Sequence, residues 1–335
     1  MEMCSRVHAR NLVEFARLHP EIVVLSADLT GSTEIDAFQA AYPERFYSMG
    51  MTEQSMLSMA GGMAREGMIP FIHTFAVFLY RRALDQLAMS IAYPNLPVRL
   101  FGFLPGIISP GGATHQAIED IAVMRALPNM TIIECGDATD VESVLSAAHA
   151  VDGPVYVRML RGDIPRLFAA DDPLQLGVVR ELASGTDVAL FSSGICTEEA
   201  MRATAVLRDR GVRLTHVHVS TLKPFVASSV LGYIEQARHG VIVMENHSVV
   251  GGLGSVIAEV MAENGCASRL VRMGLRDQFA HGASQRSLMR EYGLDALALV
   301  RHVEAVLRQP LGITEQDLAA ERIAPVHSKA KAEAL

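Results

Sequence analysis

Short apolar runs alternate with amphipathic stretches along the first half of the chain. The apolar runs fall at 21–28, 45–50, 69–75, 98–104, 130–137 and 153–159, and the amphipathic stretches near 5–18, 52–66, 82–92, 115–126 and 139–150. Apolar strands separated by helices are typical of a parallel sheet that is covered by helices on both faces. The pattern therefore predicts a doubly wound α/β domain over residues 1–160.

A polar stretch with proline and glycine, RGDIPRLFAADDPLQLG, interrupts this alternation, and we interpret residues 161–182 as a linker. The alternation then resumes, with strands predicted at 187–194, 212–219, 240–246 and 268–274 and helices near 198–210, 252–264 and 295–308. The predicted fold class is thus α/β with two doubly wound domains, the second and smaller one at 183–312. A loosely ordered tail is expected at 313–335.

Composition narrows the classes of function. Half of the 335 residues are hydrophobic and 20% are charged, which allows two packed cores. The net charge of −8 is spread without acidic or basic blocks, so neither nucleic acid nor an anionic membrane is an expected partner. No apolar run approaches the roughly 20 residues that span a bilayer, and the amino terminus lacks a signal core. Four distant cysteines without CxxC spacing favour a cytoplasmic location with reduced thiols.

Candidate chemistry lies just after the predicted strands, where open parallel sheets bind their ligands. Asp28 follows the first strand, Glu53 the second, and Phe75 and Phe78 the third. Glu53 would either complement the dipole of its helix or, against small and methionine side chains, share a proton. The two phenylalanines would pack in the core or stack on a planar ring. His115, after a glycine-containing loop, would be structural or a proton shuttle.

Together these stretches resemble the carboxyl-terminal half of transketolases, a pyrimidine-binding domain followed by the transketolase C-terminal domain. The resemblance covers roughly residues 5–310 and rests on SADLTGS, GMTEQSM, IPFIHTFAVF, RALDQ, GATHQAIEDIAVMRALPNM and GGLGS. In this family the glutamate of the G-x-T-E-Q motif, here Glu53, hydrogen-bonds N1′ of the aminopyrimidine of thiamine diphosphate. Phe75 and Phe78 match aromatics that stack on the pyrimidine, and Asp28 matches an acid close to the cofactor.

The resemblance also implies a substrate site. His115 matches a catalytic histidine that contacts the donor sugar and the reaction intermediate. Arg6, Ser32 and Arg161 fall where transketolases bind a sugar phosphate, with Arg158 a weaker match for the last position. The implied reaction transfers a two-carbon ketol unit from a ketose to an aldehyde acceptor.

Two positions depart from the family pattern. Gly111 replaces an aspartate that reads an acceptor hydroxyl, and Phe103, twelve residues before His115, replaces a histidine near the phosphate end. The acceptor pocket is thereby expected to lose a carboxylate and an imidazole and to gain an aromatic face. We expect a modified donor or acceptor, such as a deoxy or branched sugar.

The sequence lacks one part of a complete transketolase. The G-D-G…N motif, which holds Mg²⁺ and the diphosphate in the N-terminal half of the family, is absent here, and no metal ligands are predicted on this chain. Each cofactor site of the family also lies between two chains. We therefore expect a split transketolase, in which this chain needs an N-terminal-type subunit with the diphosphate and Mg²⁺ site, as an α2β2 heterotetramer.

Other interpretations stay open. One is the corresponding part of another thiamine enzyme, such as a 1-deoxyxylulose-phosphate synthase-like chain or the β subunit of a 2-oxoacid dehydrogenase; the phosphate-site matches favour transketolase over the latter. Another is a catalytically silent assembly subunit, against which the intact glutamate, aromatic and histidine argue. The G-x-G-x-x-G fingerprint of nicotinamide dehydrogenases is absent from the strand-to-helix turns.

Overall fold

The computed structural model describes residues 2–321, whose strands form two large sheets and one small one. The strands of the first half are β1 (Met3–Ser5), β2 (Ile22–Ser26), β3 (Phe46–Ser48), β4 (Ile69–Phe75), β5 (Arg99–Phe103), β6 (Thr131–Glu134), β7 (Val155–Met159) and β8 (Asp163–Pro165). The helices there are α1 (Val7–Leu18), α2 (Asp36–Ala41), α3 (Glu53–Arg65), α4 (Ala76–Tyr80), α5 (Leu84–Gln86), α6 (Asp120–Ala126) and α7 (Ala138–His149). A π-helical segment, Leu87–Ala92, continues α5, and 3-10 turns lie at Pro43–Arg45 and Gly112–Thr114.

The first large sheet contains six parallel strands in the order β6-β7-β5-β4-β2-β3. All residues of β2, β5 and β7 are buried, as expected for strands covered on both faces. The predicted doubly wound α/β fold is confirmed, because the apolar runs form these strands and the amphipathic stretches form the helices between them. The carboxyl ends of the strands meet along one edge, which is where the candidate residues lie.

The second half repeats this arrangement on a smaller scale. Its strands are β9 (Arg180–Ala183), β10 (Val188–Ser192), β11 (Leu214–His218), β12 (Thr221–Lys223), β13 (Gly240–Ser248) and β14 (Leu270–Leu275). Its helices are α8 (Cys196–Asp209), α9 (Ser228–Gln236), α10 (Leu253–Glu263), α11 (Gln285–Glu291), α12 (Ala296–Leu307) and α13 (Glu315–Ala320). The sheet order is β14-β13-β10-β11-β9, with β9 antiparallel at one edge and the other neighbours parallel.

The segments between and after these units are more ordered than the sequence suggested. Within the predicted linker, β8 pairs with β1, and β9 extends the second sheet. Strand β12 returns to the first sheet and pairs antiparallel with β6, so the two halves share backbone hydrogen bonds. The exact domain boundaries stay a prediction.

The start of the predicted tail is helical rather than loose. Helix α13 begins with a capping box between Thr314 and Asp317, and its Leu318 is buried. Residues 322–335 lie outside the described part of the chain.

The four cysteines, Cys4, Cys135, Cys196 and Cys266, are free thiols. Within residues 2–321, no helix combines the length and the apolar character needed to cross a bilayer.

Candidate active site

Helix α3 places the Glu53 carboxylate in a covered position. Glu53 is the first residue of α3, and its side chain is only 3% exposed. Thr52, just before the helix, donates its hydroxyl to Met49 O at 2.7 Å and does not cap the helix end. Glu53 Oε2 accepts a hydrogen bond from Arg82 Nη1 at 3.4 Å. A carboxylate so withdrawn from water can interact strongly with a ligand that reaches it.

Small residues let α3 approach its neighbour closely. A Cβ atom at Gly61 would lie 2.5 Å from the backbone oxygen of Ser90 in the π-helical segment. Met56, Leu57 and Ala60 on the same helix are fully buried. The glycine is therefore required by the contact between α3 and this segment, which fixes the direction in which α3 presents its first turn.

Two aromatic rings and an imidazole lie together beside this carboxylate. The rings of Phe75, at the end of β4, and Phe78, in α4, are 5.9 Å apart between centroids and inclined by 28°. The His115 ring meets Phe78 edge-on at 5.4 Å and Phe75 at 6.4 Å. The Arg82 guanidinium lies 4.2 Å from the Phe78 centroid, so Arg82 links the aromatic pair to Glu53.

The loop with His115 is held from both halves of the chain. Arg81 donates to Ala113 O at 2.7 Å and to Gln116 O at 3.0 Å, while it pairs with Glu119 at 2.7 Å. Gln116 in turn donates to His281 O, in the second half, at 3.2 Å. The imidazole is thereby presented on a fixed loop.

The environment of His115 keeps its imidazole neutral near pH 7. Partial burial, and then the nearby Arg82 cation, lower the pKa of His115 below its usual value. His115 Nδ1 and Thr114 Oγ1 are hydrogen-bonded at 2.8 Å, which leaves Nε2 as the nitrogen able to meet a ligand.

A second cluster of predicted residues lies close to Phe75. Arg161 donates to Ser32 O at 2.7 Å, and its guanidinium carbon is 5.7 Å from the Phe75 centroid. The backbone N–H of Arg6 donates to Gly162 O at 3.0 Å, and the Arg6 side chain pairs with Asp36. The structure thus brings Arg6, Ser32 and Arg161 to one corner, next to the aromatic pair.

Two other predicted positions, Asp28 and Gly111, are exposed. Asp28 is exposed at the end of β2 in a left-handed conformation, with φ of 60°, and its role stays a prediction. Gly111 is exposed, and a Cβ there would lie 3.0 Å from His115 Cβ and Cγ, so this position controls the space around the imidazole.

Phe103 is fully buried and packs against the rings of His8 and His73. Strand β5 pairs Phe103 with Phe75 of β4, and the Phe103 ring is inaccessible to solvent. A role for Phe103 in the substrate site stays a prediction.

Arg158, the weaker match for the phosphate position, does not lie in the site. Its side chain is fully buried and forms ion pairs with Asp120 and Glu134. It also donates to Asn246 O at 3.0 Å, across to the second half. Burial lowers the pKa of Arg158, but the two carboxylates raise it further, so the net shift is upward. This arginine holds the two halves of the chain together.

Sequence reasoning missed residues that organise the site. Arg82 contacts both Glu53 and Phe78, and Arg81 holds the His115 loop. Glu34 accepts the Gly162 N–H at 2.6 Å, and its burial raises its pKa despite Arg6 and Arg161 nearby. Two consecutive arginines directly after an aromatic stretch were the available signal for the first two; nothing in the sequence marked Glu34.

Two known families match successive parts of the chain. The transketolase pyrimidine binding domain matches residues 4–166, and the transketolase C-terminal domain matches residues 177–299. A transketolase family protein of Sinorhizobium fredii (strain NBRC 101917 / NGR234) is 39% identical over 297 residues, which are 88% of this chain and 86% of that protein. The 6-deoxy-6-sulfo-D-fructose transketolase subunit of Clostridium sp. (strain MSTE9) is 37% identical over 296 residues, 88% of this chain and 91% of that subunit. A solved structure described as a split gene transketolase, inactive β4 tetramer, is 37% identical with a TM-score of 0.83 and covers 90% of this chain and 97% of that chain.

Proposed function

Because this chain belongs to the transketolase family, with a pyrimidine-binding and a C-terminal domain, we propose that it is the C-terminal-type subunit of a split, thiamine diphosphate-dependent transketolase. The proposed reaction transfers a two-carbon ketol unit from a ketose with an anionic end to an aldehyde acceptor. The observation that supports it most is the covered Glu53 carboxylate beside Phe75, Phe78 and His115.

The residues around Glu53 fit the pyrimidine end of thiamine diphosphate. A covered carboxylate with one long hydrogen bond, from Arg82 at 3.4 Å, retains the capacity to bind a ring nitrogen. The adjacent stacked pair, Phe75 and Phe78, suits a planar heterocycle. When bound, the cofactor supplies a nucleophilic thiazolium carbon and holds the electrons of the cleaved carbon–carbon bond.

Each side chain then has a defined task. Glu53 holds a proton against the pyrimidine nitrogen, and low exposure strengthens that hydrogen bond. The phenylalanines exclude water from the same face. His115, neutral near pH 7, accepts or donates a proton at Nε2 beside the sugar hydroxyls. Arg161 and Arg6 attract the anionic end of the sugar.

The diphosphate and Mg²⁺ end of the cofactor is proposed to lie on a separate N-terminal-type subunit. The sequence lacks the G-D-G…N motif, and the solved split gene relative is described as inactive when it forms a β4 tetramer. Both observations support a chain that is catalytic only in a complex, for which we propose an α2β2 heterotetramer. Its location in the cytoplasm stays a prediction.

A modified sugar is the proposed substrate class. Gly111 supplies no carboxylate where the family reads an acceptor hydroxyl. A relative with 37% identity is named a 6-deoxy-6-sulfo-D-fructose transketolase subunit. A sulfonate and a phosphate are both anions that Arg161 could bind, so either end group suits the basic corner.

The isolated chain is expected to be inactive, and activity should appear only on mixing with an N-terminal-type subunit. Ketol transfer is measured with thiamine diphosphate and Mg²⁺, using xylulose 5-phosphate or 6-deoxy-6-sulfofructose as donor and ribose 5-phosphate as acceptor. Turnover by the isolated chain would refute the split-subunit proposal. Decarboxylation of a 2-oxoacid by the complex would instead favour a synthase-like or dehydrogenase-like enzyme.

Gly111→Ala is expected to lower kcat/KM of the complex by up to roughly 10²-fold, because the new methyl group displaces His115. The contact that forces this displacement is the 3.0 Å approach to His115 Cβ and Cγ. Gly232→Ala, within α9, is the control, since a Cβ there meets nothing within 4 Å. Unchanged kinetics of Gly111→Ala would show that the position of His115 does not limit the reaction.

A further inference from the structure

The amino-terminal edge of the first sheet, opposite the candidate active site, gathers two imidazoles and a carboxylate. His19 directly follows α1, Glu21 directly precedes β2, and His149 is the last residue of α7. His19 Nδ1 lies 3.1 Å from Glu21 Oε1, and His149 Nε2 lies 3.3 Å from the same oxygen. One ligand atom from each residue lies within 4.8 Å of the other two.

We propose that His19, Glu21 and His149 form a binding site for a divalent transition metal ion of the zinc class. Two imidazole nitrogens and one carboxylate oxygen are a ligand set that Zn²⁺ accepts, with a fourth position open to water. Zinc–ligand bonds of about 2.0–2.2 Å at tetrahedral angles separate neighbouring ligand atoms by roughly 3.3–3.5 Å. The two distances to Glu21 Oε1, 3.1 and 3.3 Å, are already close to that spacing.

The two imidazoles are held in place by their surroundings. The Phe15 ring stacks on His19 at 4.2 Å and meets His149 edge-on at 5.4 Å. Arg45 donates to the backbone oxygen of His19 at 3.2 Å, and Arg99 donates to that of His149 at 3.1 Å. The ligands therefore need little rearrangement to bind an ion, which reduces the entropy cost of binding.

Exposure and charge are compatible with binding. The side chains of His19, Glu21 and His149 are 30%, 33% and 19% exposed, so an ion can reach them from solvent. The Arg99 cation opposes binding, and the Glu21 carboxylate offsets it.

An ion here would connect α1, β2 and α7 at a distance from the catalytic edge. Its expected effect is on the stability of the first domain and not on the reaction. Glu21 and His149 lie far apart in the sequence, so no local motif marks this cluster.

The test uses the full chain, freed of metal with a chelator and titrated with Zn²⁺. About one ion per chain should bind and raise the melting temperature. Loss of a residue that only hydrogen-bonds a metal ligand typically costs about 10–100-fold in metal affinity. His149→Gln and Glu21→Gln each remove a proposed ligand, so each should weaken Zn²⁺ binding by more than that. The matched control is His239→Gln, an exposed histidine elsewhere, which should bind as the original chain does.

Co²⁺ distinguishes this site from binding to the cysteines. Nitrogen and oxygen ligands give visible d–d bands without the sulfur-to-metal charge-transfer band that a thiolate adds. If the variants and the original chain have the same melting temperature after treatment with the chelator, the variants are folded. The proposal is overturned if His149→Gln binds Zn²⁺ as tightly as the original chain, or if bound Co²⁺ shows thiolate ligation.

Discussion

Glu53→Gln is expected to lower the ketol-transfer rate of the proposed complex by roughly 10²–10⁴-fold, the usual contribution of a positioned proton donor or acceptor. Glutamine keeps the shape of the side chain but cannot hold and release a proton. The effect is expected to be large because the Glu53 side chain is only 3% exposed, so water cannot take over its role. The decrease should appear in kcat at saturating cofactor, with assembly to the partner unchanged.

Glu66→Gln is the matched control for this prediction. Glu66 lies at the opposite end of the same helix and is exposed, so its substitution should leave both assembly and rate unchanged. Glu53→Asp separates proton exchange from position, because it keeps the carboxyl group but withdraws it by one methylene. If the complex with Glu53→Gln kept its full rate, a silent assembly subunit would become the better description.

Arg158→Met is expected to lower the free energy of unfolding by about 3–5 kcal/mol, because it leaves buried carboxylates without their cation. Arg158 and Asp120 are 0% exposed and Glu134 is 2% exposed. Arg158 Nε donates to Asp120 Oδ2 at 2.9 Å, and Tyr156 donates to the same oxygen at 2.6 Å. Without the arginine, the carboxylates either remain charged in an apolar interior or take up protons, and both outcomes destabilise the folded chain near pH 7.

The measurement is the denaturant midpoint of the full chain, compared with that of an exposed pair. Arg290→Met removes the partner of Glu315, whose side chains are 67% and 57% exposed, and should change stability little. If Arg158→Met does not fold, the triple variant with Asp120→Asn and Glu134→Gln should recover part of the stability, since it also removes the stranded charges. A midpoint for Arg158→Met equal to that of Arg290→Met would contradict the prediction.

Much of the fold followed from local sequence pattern. The apolar runs at 69–75 and 98–104 correspond to β4 and β5 because strands buried on both faces need apolar residues throughout. The short strands β1, β8, β9 and β12 were missed. Runs of three or four residues have no recognisable period, and each of these strands forms only because a distant segment offers its backbone groups.

The candidate site was predicted only in part from the sequence. Glu53, Phe75, Phe78 and His115 were identified from motifs, and the structure brings them together at the carboxyl edge of the first sheet. The burial of Phe103 could not be predicted, because sequence gives the position of a residue along a strand but not the depth of its side chain below the surface. Arg158 was a weaker match for the phosphate position, and only the tertiary structure shows that its side chain is buried against Asp120 and Glu134.

The sequence by itself determined the longer apolar strands, the order of the two α/β units and the family to which the motifs belong, since these depend on periodicity and on residues close together in the chain. Only the tertiary structure decided which charges are buried and which ligands meet: Arg82 reaches Glu53 across 29 positions, Arg158 reaches Asn246 across 88, and His149 comes to lie beside Glu21. The physical reason is that desolvation and short-range contact act between atoms that are neighbours in space, and the packing of helices on the sheet sets those neighbours.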